Sequence, residues 1–249
     1  MYQKMAKVYD ALMEDAPYED WVAFTKAMLD KDFESQPKQL LDLGCGTGQI
    51  TVQLADSFSQ VTGVDLSSDM LTEASNRSIE EGKSIQWIHQ DMTQLEGLKG
   101  FDTVISYCDV INYITEEEKV KSAFSNAYQA LNDRGMFLFD VHSLNHVQSN
   151  LVGEVFSEVY DDLAYIWFCQ AGEREGEMIH DLTFFIQNDK QYDRIDETHQ
   201  QRTLSVETYV QLLSKVGFSK IEIYKDFETT PINEDDYAYA NRLFFVCYK

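Results

Sequence analysis

The sequence predicts an α/β fold, with a Rossmann-like seven-stranded, mostly parallel sheet, helices on both faces and an antiparallel β insertion after the fifth strand. Three observations lead to this prediction. From Glu19 to Val141, short apolar runs alternate with amphipathic segments, which is typical of a parallel sheet with crossover helices. A glycine-rich turn follows the first of these runs. After Val141, extended segments follow one another directly, as antiparallel strands do.

Five apolar runs are long enough for buried strands, and the segments between them have helical periodicity. Val120, Phe124 and Ala127, for example, recur at the spacing of one helix face. The chain has 249 residues, of which 44% are hydrophobic, so it can bury the core of one large domain. The predicted strands cover 39–44, 60–65, 85–91, 101–107 and 135–141.

The insertion is expected to span residues 145–203, and the main domain residues 1–144 and 204–249. Two extended segments flank "AGEREG", where the glycines suit a hairpin. The main domain then resumes with a helix that is capped by Ser205 and ends at Gly217, followed by two strands. The second hairpin strand alternates, which places on one face Met178, His180, Leu182, Phe184 and Ile186.

The charge of the chain disfavours two kinds of partner. Lys and Arg number 20 against 43 Asp and Glu, so the net charge is −23. This charge repels nucleic acid and anionic membrane surfaces, and neither is expected as a partner. The sequence shows no secretory or membrane-spanning segment, so a cytoplasmic location and a small-molecule substrate are expected. The four cysteines are scattered, as reduced thiols usually are.

The stretch "LLDLGCGTGQI" places three glycines, Gly44, Gly46 and Gly48, on alternate positions behind a strand. Such a turn lets the backbone pass close to a ligand and directs helix amides toward it. A dinucleotide fingerprint would need its third glycine at position 49, where the chain has Gln49, and this argues against an NAD-linked dehydrogenase.

Two further strands end in acidic residues at the same edge of the sheet. Asp65 closes the second strand, at a distance along the chain where a carboxylate can accept hydrogen bonds from ribose hydroxyls. Asp91 closes the third, where it or the Met92 amide can meet an adenine edge, although a helix cap is an alternative role for this aspartate. Three strand ends therefore converge on one nucleoside.

The motifs "DLGCGTG", "VDLSSDML", "QDM" and "FDTVISYCDVINYI" resemble those of class I S-adenosylmethionine-dependent methyltransferases. The resemblance covers residues 38 to 141 and the last two strands, and it extends to small-molecule N- and O-methyltransferases with a "YDxLM" segment, here Tyr9 to Met13. It implies S-adenosylmethionine as cofactor. The resemblance implies that the three glycines bind this cofactor, with Cys108 as a wall of the site. The other residues implied in binding it are Asp42, Asp65, Leu66, Met70, Asp91 and Met92.

Aromatic residues near the start of the chain have two possible roles. Tyr9, Tyr18 and Trp21 can pack a surface helix, as amphipathic aromatics often do. Alternatively, they form a lid over the sulfonium cation, because a positive charge is attracted to aromatic faces. In that case Tyr9 acts on the donor, whereas the insertion acts on the acceptor.

The acceptor side of the site is less specific. Asp109, Asn112 and Tyr113 follow the fourth strand, and His142 follows the fifth, so they are candidates for positioning or deprotonating an acceptor. A metal site at His142 and His146 is disfavoured because the H-E-x-x-H form is absent. The place after the fourth strand reads "YCDV" rather than the D/N-P-P-Y/F of amide and adenine N-methylating relatives. A small-molecule N or O acceptor is therefore expected, and a non-catalytic cofactor sensor or scaffold is the alternative.

Overall fold

A computed structural model describes residues 16–32, 37–189 and 191–249. Tyr9 and the "YDxLM" segment lie outside the described residues. The main sheet contains seven strands in the order β10-β11-β5-β4-β1-β2-β3, and only β11 runs antiparallel to its neighbours. The strands are β1 (Gln39–Leu43), β2 (Gln60–Asp65), β3 (Gln86–His89), β4 (Phe101–Ser106), β5 (Leu131–His142), β10 (Lys220–Lys225) and β11 (Arg242–Tyr248).

Helices cover both faces of this sheet. Consecutive residues of its strands alternate between two apolar clusters, one on each face, so both faces must be buried. In β5, Phe137 and Phe139 belong to one cluster, whereas Met136 and Leu138 belong to the other. The predicted caps of the last helix are confirmed, since Ser205 accepts a hydrogen bond from Thr208 N and Gly217 ends the helix. The helices are α1 (Tyr18–Asp32), α2 (Gln49–Leu54), α3 (Ser68–Glu80), α4 (Glu117–Ala130), α5 (Leu144–His146), which continues as a π-helical turn (Val147–Leu151), and α6 (Val206–Val216).

The antiparallel insertion after β5 is confirmed as a separate four-stranded sheet in the order β6-β7-β8-β9. The hairpin lies where the sequence predicted it, between β7 and β8. The sheet also contains one strand that the sequence did not reveal, β6, which is short and mostly exposed and therefore lacks a clear apolar alternation. The strands are β6 (Val155–Val159), β7 (Leu163–Ala171), β8 (Glu177–Asn188) and β9 (Gln191–Arg202).

The fifth strand begins earlier than predicted. It starts at Leu131, which pairs with Phe101, and its register shifts before Thr103 pairs with Met136. Arg134 adopts a positive φ of 67° in this irregular part. The sequence "NDRG" reads as a turn because it is polar, but its backbone continues the strand through a bulge.

The topology determines where a ligand can bind. The strand order reverses between β1 and β4, and a crevice forms at the carboxyl ends of strands at such a switch point. The glycine turn after β1 and the loop after β4 both open at this point. Within the described part of the chain, no helix is long and apolar enough to cross a membrane.

Candidate active site

A cavity of about 830 Å³ lies at the carboxyl ends of the parallel strands, beneath the insertion sheet. Ligand pockets in proteins typically measure about 300 to 1,000 Å³, so this volume leaves room for a nucleoside cofactor and a small second molecule. Two groups of residues line it. One belongs to the ends of β1, β2 and β3, and the other to the loops after β4 and β5 and to the insertion.

The three glycines of the turn have different surroundings. Gly44 and Gly46 line the cavity, and Gly48 does not. All three have positive φ, which favours glycine. A Cβ on Gly48 would lie 2.9 Å from Trp87, so this glycine allows the start of α2 to pack closely against Trp87. Because Gly48 lies outside the cavity lining, its position does not support the predicted contact with the cofactor. A Cβ on Gly46 would meet no protein atom within 4 Å, which leaves open space above the turn.

Gly44 and Gly46 provide a matched pair of alanine substitutions. A Cβ on Gly44 would lie 2.3 Å from a methyl group of Val110, whereas the space above Gly46 is free. We expect Gly44→Ala to lower the melting temperature more than Gly46→Ala, because both share the backbone cost of positive φ but only the first clashes with protein. Thermal unfolding of the two variants tests this order, and equal melting temperatures would contradict it. Gly46→Ala is expected to impair cofactor binding in a folded protein.

Asp65 lies at the end of β2 and fixes the glycine turn. Its Oδ2 accepts a hydrogen bond from Gly46 N at 2.9 Å, and its Oδ1 accepts one from Ser67 N at 2.8 Å. Burial raises the pKa of this carboxyl group, and the backbone hydrogen bonds oppose the rise. Each oxygen retains a second lone pair for a ligand.

Asp91 caps a short helical turn, which is the alternative role that the sequence left open, and it also lines the cavity. Its carboxylate accepts a hydrogen bond from Thr93 N at 2.8 Å and so caps the short helical turn Met92–Gln94. Asp91 and Met92 also line the cavity, as do Leu66 and Met70 on the side of β2 and α3. The acids at the ends of β2 and β3 therefore face the same space, as expected for parallel strands.

Asp42 and two cysteines form the floor of the cavity. Asp42 is buried and accepts a hydrogen bond from Thr51 Oγ1 at 2.5 Å, which joins β1 to α2. Burial raises the pKa of Asp42 to about 7. Burial also raises the pKa of the Cys45 and Cys108 thiols well above the usual range, and the nearby carboxylates add to the rise. Cys108 is therefore a neutral wall residue and not a thiolate nucleophile.

Trp21 reaches the cavity from α1 and contacts a buried charge cluster. Its Nε1 donates to Asp140 Oδ1 at 3.3 Å, and the guanidinium of Arg242 lies 5.2 Å from its ring centroid. Trp21 is therefore buried yet lines the cavity, and its place in a lid over the cofactor stays a prediction. Tyr18 also lines the cavity and contacts Trp21.

The loop after β4 holds Asp109 in a strained conformation. Cys108 and Asp109 both adopt positive φ, 60° and 50°, which is unusual for residues other than glycine. Strain of this kind persists only where surrounding contacts impose it, and it is frequent at functional sites. Here the Asp109 carboxylate accepts hydrogen bonds from Arg242 Nη2 at 3.0 Å and Gln201 Nε2 at 2.8 Å. Although burial opposes ionisation, His142, Arg242 and Gln201 together lower the pKa of Asp109.

Arg242 is shared between two carboxylates. It contacts Asp140 through Nη1 in addition to Asp109 through Nη2. Asp140 is fully buried, and burial raises its pKa while Arg242 opposes the rise. The two carboxylates in turn raise the pKa of Arg242, so the guanidinium stays charged. Arg242 was not among the site residues predicted from the sequence. A cation at the start of an apolar terminal strand was nevertheless a signal that could have indicated a buried ion pair.

The other three acceptor-side candidates divide into two groups. Tyr113 and His142 line the cavity, and His142 Nε2 lies 3.5 Å from Asp109 Oδ1. Burial lowers the pKa of His142 to about 4, so its imidazole is neutral near pH 7. Asn112 is fully buried outside the cavity lining, and its amide binds His142 N, the carbonyl of Arg202 and the Tyr209 hydroxyl group. Asn112 therefore braces the loop and does not reach an acceptor.

The insertion closes the cavity opposite the glycine turn. Three residues of the face of β8 that the sequence predicted line the cavity, namely His180, Leu182 and Phe184. Tyr165 and Trp167 of β7 and His199 and Gln201 of β9 belong to the same wall. Among the described residues, no group of three or more His, Cys, Asp or Glu side chains is arranged to hold a metal ion.

The fold and this site define a class of protein. A family model described as a methyltransferase domain matches residues 40–135. A protein of Geobacillus sp. (strain WCH70), provisionally named a methyltransferase, is 38% identical over all of this chain and 99% of its own length. The provisionally named methyltransferase YqeM of Bacillus subtilis (strain 168) is also 38% identical, over all of this chain and 97% of its own. The chain belongs to the class I S-adenosylmethionine-dependent methyltransferases, and S-adenosylmethionine is its cofactor.

Solved structures agree with this assignment. An S-adenosylmethionine-dependent methyltransferase from Clostridium acetobutylicum ATCC 824 has a TM-score of 0.88 and 26% identity, covering 99% of this chain and 98% of its own. CalS10, an amino pentose methyltransferase from Micromonospora echinaspora with S-adenosylmethionine bound, has a TM-score of 0.77 at 16% identity, covering 97% and 96% of the two chains. The second likeness shows the fold alone.

Proposed function

We propose that the chain methylates a small-molecule nitrogen or oxygen acceptor by in-line transfer from S-adenosylmethionine. The observation that carries this proposal is one continuous cavity, in which the ends of β1 to β3 face a second wall of aromatic and polar residues. When bound, S-adenosylmethionine supplies an electrophilic methyl group. The remaining task of the protein is to align the acceptor and exclude water, and alignment contributes up to about 7 to 11 kcal/mol in favourable cases.

The donor half of the cavity fits S-adenosylmethionine by its own geometry. The open space above Gly46 admits a ligand, and the Asp65 carboxylate beside it has lone pairs for two ribose hydroxyl groups. Asp91 and Met92 would hold the adenine edge between Leu66 and Met70. Asp42, Gly44 and Cys108 would line the methionine part, and Trp21 with Tyr18 would contribute aromatic surface near the sulfonium cation. Tyr9 stays a prediction for the same role.

The acceptor half is assigned to Asp109, Tyr113 and His142, roofed by the insertion of residues 145–203. Asp109 is ionised and fixed, so it can hold an N–H or O–H group of the acceptor. His142 is neutral and can accept a proton. An alcohol or phenol acceptor needs a base to take its proton, and an amine acceptor loses a proton after methyl transfer. Burial raises the pKa of Tyr113 beyond its usual range, so its hydroxyl group acts as a donor or acceptor without ionising.

The charge balance supports a small-molecule acceptor. The net charge of −23 opposes nucleic-acid substrates, since phosphate contacts need basic side chains. Among the described residues that line the cavity, the Lys and Arg side chains are Lys119 and Arg242, and two carboxylates already neutralise Arg242. A cationic or neutral acceptor suits this half better than a phosphate.

The proposal is tested with S-adenosylmethionine that carries a ¹³C-labelled methyl group and a low-molecular-mass metabolite extract. We expect the label to enter a discrete metabolite, and calorimetry to show binding of S-adenosylmethionine and its demethylated product but not of NAD. Heat-treated protein is the control for chemical methylation. Transfer to nucleic acid or protein alone would refute the small-molecule assignment, and NAD binding without donor binding would refute the cofactor site.

A further inference from the structure

A chain of hydrogen bonds runs along the cavity wall from the insertion to helix α1. Trp167 Nε1 donates to His180 Nδ1 at 2.9 Å, and His180 Nε2 lies 3.1 Å from Gln201 Oε1. Gln201 Nε2 then donates to Asp109 Oδ2 at 2.8 Å. Arg242 joins Asp109 to Asp140, and Asp140 accepts from Trp21. These contacts link β7, β8, β9, the loop after β4, and β11 in one series.

The direction of every bond in the first half of this series follows from its first donor. A tryptophan Nε1–H can only donate, so His180 Nδ1 must carry a lone pair. A neutral imidazole then has its proton on Nε2, which donates to the carbonyl oxygen of Gln201. The amide nitrogen of Gln201 is therefore directed at Asp109 and supplies a hydrogen bond to its ionised form.

From this geometry we infer that Gln201 and His180 are positioning residues, which hold the Asp109 carboxylate toward the acceptor through the Nε2–H tautomer of His180. This inference rests on the proposed function, because Asp109 is the group assigned there to the acceptor. Neither Gln201 nor His180 needs to touch the reacting atoms. Their role is to fix the orientation of a residue whose backbone is strained at φ 50°.

Protonation of His180 would break only the first bond of the series, because Nε2–H can still donate to Gln201. A charged imidazole has a proton on both nitrogens, so Nδ1–H would point at Trp167 Nε1–H and the two donors would repel each other. Burial lowers the pKa of His180, while its bond to Gln201 opposes the decrease. The neutral form therefore persists throughout the neutral range and is lost only below the ordinary histidine pKa. The titratable groups around His180 are Asp109, His142, Cys169, Asp181 and His199.

Nuclear magnetic resonance of the histidine side chains in the full chain tests the series directly. We expect His180 to be the Nε2–H tautomer and to titrate below about pH 6.5. Trp167→Phe removes the donor to Nδ1, so His180 should then titrate at higher pH. An Nδ1–H tautomer in the wild-type chain, or a midpoint that Trp167→Phe leaves unchanged, would overturn the inference. This measurement needs no acceptor and is independent of the proposed function.

Gln201→Glu tests the positioning role through a pH profile. The introduced carboxylate would face Asp109 and repel it, so we expect methyl transfer to the metabolite extract to fall by about tenfold or more at neutral pH. Acidification would protonate the introduced carboxyl group and restore a donor to Asp109. The variant should therefore gain activity relative to the wild-type chain as the pH falls.

Gln200→Glu is the matched control. Gln200 is the adjacent residue on β9 and also donates to a carboxylate, Glu177 Oε1 at 2.7 Å, but it does not line the cavity. A merely structural effect would give both variants the same pH profile, and that result would overturn the inference. Unchanged transfer by Gln201→Glu would do so too. If the wild-type chain transfers no label, the proposed function fails, and the tautomer measurement still decides the hydrogen-bond series.

Discussion

Replacing Asp65 with alanine is expected to weaken S-adenosylmethionine binding by about tenfold or more, while the chain stays folded. Hydrogen bonds to a charged group contribute about 1.5 to 3 kcal/mol each, and two ribose hydroxyl groups would lose their acceptor. The substitution also frees Gly46 N and Ser67 N, so the glycine turn loses the group that fixes it. The lost ribose hydrogen bonds and the loosened turn both weaken S-adenosylmethionine binding, so we expect this substitution to have the largest effect on the affinity for the donor.

Calorimetry with the demethylated product measures this loss without turnover. Asp56→Ala is the matched control, because Asp56 is exposed, pairs only with Lys83 among the described residues and lies outside the cavity lining. Its affinity for the ligand should equal that of the wild-type chain. Normal binding by a folded Asp65→Ala variant would mean that the ribose does not bind at the end of β2.

Arg242→Met is expected to lower the free energy of unfolding by about 3 to 5 kcal/mol at neutral pH, which is the usual cost of removing one partner from a buried ion pair. Asp109 and Asp140 would remain buried without their shared cation. Arg194→Met is the matched control. Arg194 pairs with Asp196 on the exposed surface of the insertion, where an ion pair contributes about 0 to 1 kcal/mol.

The loss in Arg242→Met should depend on pH in a direction that the charges determine. Without the guanidinium, burial raises the pKa of both carboxyl groups above the unfolded value of about 3.9. A carboxyl group whose pKa is raised in the folded state lowers the free energy of unfolding at pH values above its unfolded pKa, and it has no effect at pH values below that pKa. The deficit should therefore shrink as the pH falls through the raised pKa values. Chemical unfolding at neutral and mildly acidic pH measures it, and a constant deficit would show that lost packing, not charge, is responsible.

The candidate donor site could be read from the sequence because its determinants are local. Asp42, the glycine turn, Asp65 and Asp91 each lie at or just beyond the carboxyl end of a strand, and parallel strands bring these ends to one edge. The same reasoning found the insertion, because alternation along β8 shows which residues share a face. It missed β6 and the first residues of β5, whose exposed or irregular backbone leaves no apolar pattern.

The acceptor side of the site could be predicted only in part from the sequence, because the arrangement of its side chains depends on contacts between distant segments of the chain. Asp109 and Gln201 are separated by 92 positions, and Asp109 and Arg242 by 133. Asn112 and Asp109 look alike in the sequence, as polar residues after β4, yet one braces the loop and the other faces the cavity.

The sequence by itself determined the fold class, the family and the edge of the sheet where the candidate donor site lies. The tertiary structure alone decided which polar residues are buried, which charges are paired and which way each hydrogen bond points. The physical reason is that strand and turn patterns arise from neighbouring residues. The ionisation of Asp109 and the orientation of Gln201, in contrast, arise from desolvation and partners that only the folded chain brings together.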